Sequence, residues 1–334
     1  MTHNPLSAMS STDSSAKTSS LAPRPIRPGA EYQRVLASDR RRIGRGILAI
    51  ILLIGGMFGL TFGAVQIAFR IDAALGLSGY TASIHVAAML PIALLIPWSM
   101  LIQRWLYGVR AASLTSVLNV FRTAVFGKAI LIVLPLWAIN LVVSTLVMGS
   151  TTTTWTTVGL ASVFLVTLLL TPLQAAGEEY GFRGLVFRVA ASWAKGPRAA
   201  LLLGVAVSSI LFAVVHFSTD PWVNLYYLVF ASTLAIITWR SGGLEIGIVI
   251  HAVNNTIGFL ILLVLHADFT AANDRSDGVG SAIMLLPCAL HIAITAWVWW
   301  QTRNSGPALT SGEGPIVEAA RVVSGERAAD TRVE

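Results

Sequence analysis

Three short clusters in this 334-residue sequence hold groups able to move protons and stabilise charge. The first is Gly177-Glu178-Glu179-Tyr180-Gly181-Phe182-Arg183-Gly184, two adjacent carboxylates closing a long apolar run. Glu179 and Arg183 stand four apart, a spacing that puts them on one helix face. Glu178 points about 100° away, because a helix turns once in 3.6 residues. One carboxylate is then held by the arginine while the other is free to act as a base. The second cluster runs from Phe212 to His216 at the end of an apolar run. The third is His251-Ala252-Val253-Asn254-Asn255, deep in another. His251 and Asn255 stack on one face, about 6 Å apart along the axis. A carboxylate base, a histidine and a His/Asn donor pair on separate helices are the equipment for hydrolysing an amide. The base takes a proton from water, and the donors hold the oxyanion that develops on the carbonyl.

Each cluster also has a plainer reading. The glutamates and Arg183 can mark the cytosolic end of a span, and His216 can be a satisfied interfacial side chain. The His/Asn group can be interhelical hydrogen bonding, worth about 0.6 kcal/mol per bond in membranes. Depth favours chemistry, since a charge at mid-bilayer costs at least about 2.5–3.5 kcal/mol and such groups face a bundle interior or wet cavity. Other hydrolytic designs lack their parts. There is no His-Glu-x-x-His for a helix-borne zinc site, and no in-span aspartate pair. Gly149-Ser150 lies in a Thr-rich loop without the frame of a serine nucleophile. Cys288 is the sole cysteine, which excludes an internal disulfide and a Cys-cluster metal site. Glu245, after Arg240 and Gly242-Gly243, reads as a solvated loop residue. His85, His266 and His291 receive no role.

The elements that must position these groups follow from composition. The chain is 55% apolar and 12% charged, with mean hydropathy +0.72. Soluble domains carry about 45–50% and about 25%, so this is an all-α polytopic membrane bundle. Eight runs approach the roughly 20 residues that cross a bilayer: 46–69, 83–102, 127–149, 157–177 (extending toward 192), 199–217, 222–239, 244–265 and 280–300. Lys and Arg gather in alternate loops, which places both termini inside the cell membrane, on the cytoplasmic side. The net charge of +7 is spread along these loops and forms no nucleic-acid face. Residues 1–45 read as a disordered basic arm without the apolar core of a signal peptide, and 301–334 as a disordered cytosolic tail.

Taken in order, the clusters resemble the CPBP intramembrane proteases, the group containing type II CAAX prenyl endopeptidases and bacteriocin-processing or immunity-related proteins. That family is marked by Glu-Glu-x-x-x-Arg, Phe-x-x-x-His and His-x-x-x-Asn, here Glu178 to Arg183, Phe212 to His216, and His251 to Asn255. The likeness covers about residues 160–260. It implies that Glu178 activates water with help from His216, that His251 and Asn255 form an oxyanion hole, and that Glu179 and Arg183 position the base. The substrate implied is a membrane-associated protein or peptide, lipidated or not, and no cofactor is required. Three alternatives stand beside this reading: a zinc enzyme with Glu178, Glu179, His216 and His251 as ligands, a non-catalytic immunity or scaffold protein, and a transporter using Glu178 as a proton relay. The peptidase reading sets a geometric demand. His216 ends its span near the outer surface, so the helix bearing Glu178 must continue through Gly184 to about Ala191, with both glutamates inside the bundle.

Overall fold

The computed structural model describes residues 23–149 and 151–311, which form helices joined by short loops, with isolated β-bridges and no strand. Among the described residues, eight helical segments are long and apolar enough to cross a membrane. They are α1 (Ile43–Leu75), α2 (Ala82–Ala93) with α3 (Leu95–Tyr107), α4 (Thr123–Met148), α5 (Thr157–Glu178) with α6 (Phe187–Ala191), α7 (Pro197–Val214), α8 (Pro221–Ser241), α9 (Glu245–Val264), and, after the single turn α10 (Phe269–Ala272), α11 (Leu285–Gln301). The expected runs and the observed segments coincide to within a few residues, except at α1, which extends further at its C-terminal end.

Local sequence explains the ends and the break. Side chains of Thr81, Thr156 and Asp220 cap α2, α5 and α8, and proline opens α7 and α8, where its missing N–H costs nothing. The second span is interrupted at Leu94, three residues after Pro91, because proline removes a backbone hydrogen bond. The fourth span runs unbroken from Thr157 to Ala191, 35 residues or about 52 Å. Between Glu179 and Val186 it is a π-helix, a widened turn that recurs at functional sites.

Helices α5 and α9 pack on each other at the centre, with α2 against α5, α4 against α9, and α7, α8 and α11 completing the bundle. Inside lie Leu53, Phe182, Phe212, Phe230, Leu234 and Ile250. Outside, Leu131, Ile139, Leu146, Leu169 and Leu202 stand exposed, as lipid-facing side chains must where water is absent. Two glycines permit close approach. A Cβ at Gly177 would run into the carbonyl oxygen of Ile92, and one at Gly247 would lie 3.1 Å from Glu179 Oε2.

Three expectations need correction. Residues 23–42 are not a disordered arm: Tyr32 is fully buried, its hydroxyl donates to the Leu114 carbonyl, and Arg188 lies 3.8 Å over its ring. Arg34 donates to the carbonyls of Ala194 (2.8 Å) and Lys195 (3.0 Å). Nor is the start of the tail free. Glu31 bridges to Leu309, and Gly29 and Thr310 share a 2.9 Å backbone hydrogen bond. Open carbonyls at the helix ends gave arm and tail something to bind, which apolar periodicity cannot reveal. Residues 1–22 and 312–334, the remainder of both expectations, lie outside the described residues. Finally, Glu245 is not solvated. It is fully buried and paired with Arg122, Nε to Oε1 at 2.9 Å and Nη2 to Oε2 at 2.6 Å.

Candidate active site

Glu178 ends α5 and faces a cavity of about 360 Å³, within the range of small-molecule and peptide-side-chain sites. His216 reaches the same cavity from the turn after α7, and His251 and Asn255 reach it from α9. Phe212 also lines it, while Glu179 and Arg183 stand behind the wall. Four side chains from three spans therefore meet at one space.

The two glutamates occupy opposite environments. Glu179 Oε2 lies 3.3 Å from Arg183 Nε, and its Oε1 is 2.7 Å from His251 Nδ1. The arginine in turn sits 4.1 Å above the Phe212 ring, where a desolvated cation gains from the ring quadrupole. Glu178 keeps one oxygen free. Its Oε1 accepts 2.6 Å from Gln174 Nε2, whereas Oε2 has no hydrogen-bond partner and lies 3.5 Å from His251 Nε2.

Proton placement on both histidines follows from what they touch. A carbonyl only accepts, so the 2.6 Å contact between His216 Nδ1 and the Phe212 carbonyl puts hydrogen on Nδ1. Nε2 of neutral His216 is then a lone-pair acceptor. Burial lowers the His216 pKa from its ordinary 6.5, against an opposing pull from Glu178, so the ring stays neutral at pH 7. A carboxylate also only accepts, so His251 donates through Nδ1 to Glu179. In the imidazolium form it presents a second donor at Nε2, toward the cavity.

A relay of amides fixes Asn255. Its Nδ2 donates to Gln174 Oε1 at 3.1 Å, and its Oδ1 accepts from Asn254 Nδ2 at 2.9 Å. Asn254 Oδ1 accepts from Trp137 Nε1 at 2.8 Å and Tyr226 hydroxyl at 3.2 Å. The indole can only donate and the Glu178 carboxylate can only accept, so every amide between them has one orientation. Asn255 is left with one N–H for a ligand. Gln174 was readable as the residue four before Glu178 on its helix face; Trp137, on α4, carried no sequence signal.

The four residues named as alternative zinc ligands are engaged as follows. His251 Nδ1 and Glu179 Oε1 bond each other instead of sharing a third centre, and no group of three or more His, Cys, Asp or Glu among the described residues is arranged to hold a metal ion.

Part of the chain is similar to known proteins. Residues 157–257 match the family model described as type II CAAX prenyl endopeptidase Rce1-like. The uncharacterized protein YyaK of Bacillus subtilis (strain 168) is 33% identical over 94 residues, which cover 26% of this chain and 30% of that protein. The match thus spans less than a third of the curated relative's length. No solved structure matches. Glu178, His216, His251 and Asn255 all lie within the segment that is similar to this family model.

Proposed function

We propose that the protein is an intramembrane endopeptidase of the cell membrane that cleaves a peptide bond in a membrane-associated protein or peptide. Glu178 takes a proton from water through its free Oε2, and His216 Nε2 assists as a second acceptor. The resulting hydroxide attacks the scissile carbonyl, and the oxyanion is held by Asn255 Nδ2–H and by His251 Nε2–H in the imidazolium form. The proton then passes to the leaving amine. Glu179 and Arg183 are positioning groups: the carboxylate orients His251 through Nδ1, and the arginine holds the carboxylate. The observation that carries the reading is the placement of the glutamate pair: Glu178 lines the cavity beside His216, His251 and Asn255 with its Oε2 free of hydrogen bonds, while Glu179 lies outside the lining, paired with Arg183 and His251.

The test is cleavage of reporter peptides by purified protein. Glu178→Gln lowers the rate about 10²–10⁴-fold, the usual contribution of a positioned base, while the protein remains folded. Full turnover by that variant ends the proposal. Activity persists after exhaustive EDTA treatment; lasting loss restored by zinc would favour the metal alternative. A scaffold role predicts instead that Glu178→Gln harms assembly.

A further inference from the structure

The cavity lies toward one end of the bundle, where Ala272 and Arg275 contribute to its lining. Both chain tails meet at the opposite end, where Glu31 bridges Leu309, Arg24 bridges Val109 and Ser116 bridges Gly243. Helices leaving that end are α1, α4, α7 and α9; those entering the bundle from the other are α2, α5, α8 and α11. Many of the cavity-lining residues fall in the far half of their spans, among them Ser144 late in α4, His216 past the end of α7, Tyr226 early in α8, Phe259 late in α9 and Pro287 early in α11, while Glu178 and His251 lie deeper, toward the tail end. Ala272 and Arg275, in the loop joining α9 to α11, form its rim. That loop is tied to the α7–α8 turn by Thr219 N–H to the Arg275 carbonyl (2.9 Å) and by Asp220 Oδ2 accepting from Gly278 and Gly280 (both 3.0 Å).

Toward the tails the site is sealed. Phe182, Arg183, Leu234, Val249 and Ile250 are at most 1% exposed. Below them Tyr180 bonds Thr115 at 2.8 Å, and Arg188 donates to the Ser113 carbonyl at 2.6 Å. Charge distinguishes the two ends equally clearly. At the tail end stand Arg40 to Arg42, Arg45, Arg104, Arg110, Arg122, Lys128, Lys195, Arg198 and Arg303, and at the cavity end only Arg70 and Arg275 among the described residues. Short loops rich in Lys and Arg remain in the cytoplasm.

We infer that substrate reaches this site from the non-cytoplasmic face, so that the peptide cleaved is a segment of an exported or membrane-anchored polypeptide presented at the outer leaflet. The inference rests on the peptidase reading only in naming the visitor a peptide; the sidedness stands on geometry and charge. Gly258 lines the cavity with open space where a Cβ would stand, Ala272 is exposed at the rim, and Ser305 is exposed at the tail end. In a Cys288→Ser background, Gly258→Cys, Ala272→Cys and Ser305→Cys are each probed with a small membrane-impermeant thiol reagent in intact cells and in inside-out vesicles. Gly258→Cys and Ala272→Cys react in intact cells, and Ser305→Cys reacts in vesicles only. Reaction of the cavity thiol only in vesicles, or from neither side, overturns the inference, and so does Ser305→Cys reacting in intact cells. Ala272→Cys keeps the test decisive if Gly258→Cys fails to assemble. Adding Glu178→Gln leaves the pattern unchanged, so a chain with this labelling that never cleaves a peptide ends the peptidase proposal without touching the sidedness.

Discussion

Glu178, inside the fourth span, and Glu245, at the start of α9, are both buried glutamates, and their surroundings differ in kind. Glu245 is saturated: Arg122 contacts both carboxylate oxygens and its backbone N–H adds a third bond at 3.0 Å. Glu178 has Gln174 on one oxygen and open cavity beside the other. A burial-based criterion would rank the two together. Satisfaction of the lone pairs separates them, since an unpaired buried oxygen is a liability to the fold unless chemistry uses it. The Glu245 carboxylate is completed by Arg122, whereas the Glu178 carboxylate keeps one oxygen free of hydrogen bonds at the cavity.

The comparison is sharpest as a crossed pair of substitutions. Glu178→Gln removes cleavage and leaves thermal stability in detergent nearly unchanged, whereas Glu245→Ala lowers stability by about 3–5 kcal/mol, the cost of stranding one member of a buried ion pair. Equal destabilisation by both would erase the distinction. Asn255→Ala comes next, with kcat reduced about 10²–10³-fold and KM little altered, the signature of a lost oxyanion donor. A rise in KM alone would make Asn255 a substrate anchor. The pH profile follows. Burial lowers the His216 pKa, so the loss of rate caused by protonating it on acidification falls below pH 6.5, not across it; a limb above that value that vanishes in His216→Gln would contradict a neutral base. Smallest is Trp137→Phe, which removes the donor anchoring the far end of the relay and lowers kcat by less than about tenfold, near 1.4 kcal/mol.

Much of this was legible in the residues, for identifiable reasons. Apolar runs announce spans because backbone groups in lipid must pair internally, so all eight could be located from hydropathy. The i,i+4 rule placed Arg183 on Glu179 and His251 with Asn255, and the pairing of Glu179 with Arg183 survives the π-helical turn between them. Glu245 was misread because its partner is 123 residues away, beyond any local pattern. The arm and tail were misread because their anchors are backbone carbonyls, which no composition identifies. Trp137 escaped for the same reason as Glu245: one indole in an apolar span looks like any other until its helix is laid against α9.

The crowding of Gly177 against Ile92 has a consequence for how the protein must work. With no room for even one methyl group between those two backbones, the post that bears Glu178 cannot slide or swing. Whatever adjustment a bulky guest demands has to be made elsewhere along the cavity wall, around a base that stays put.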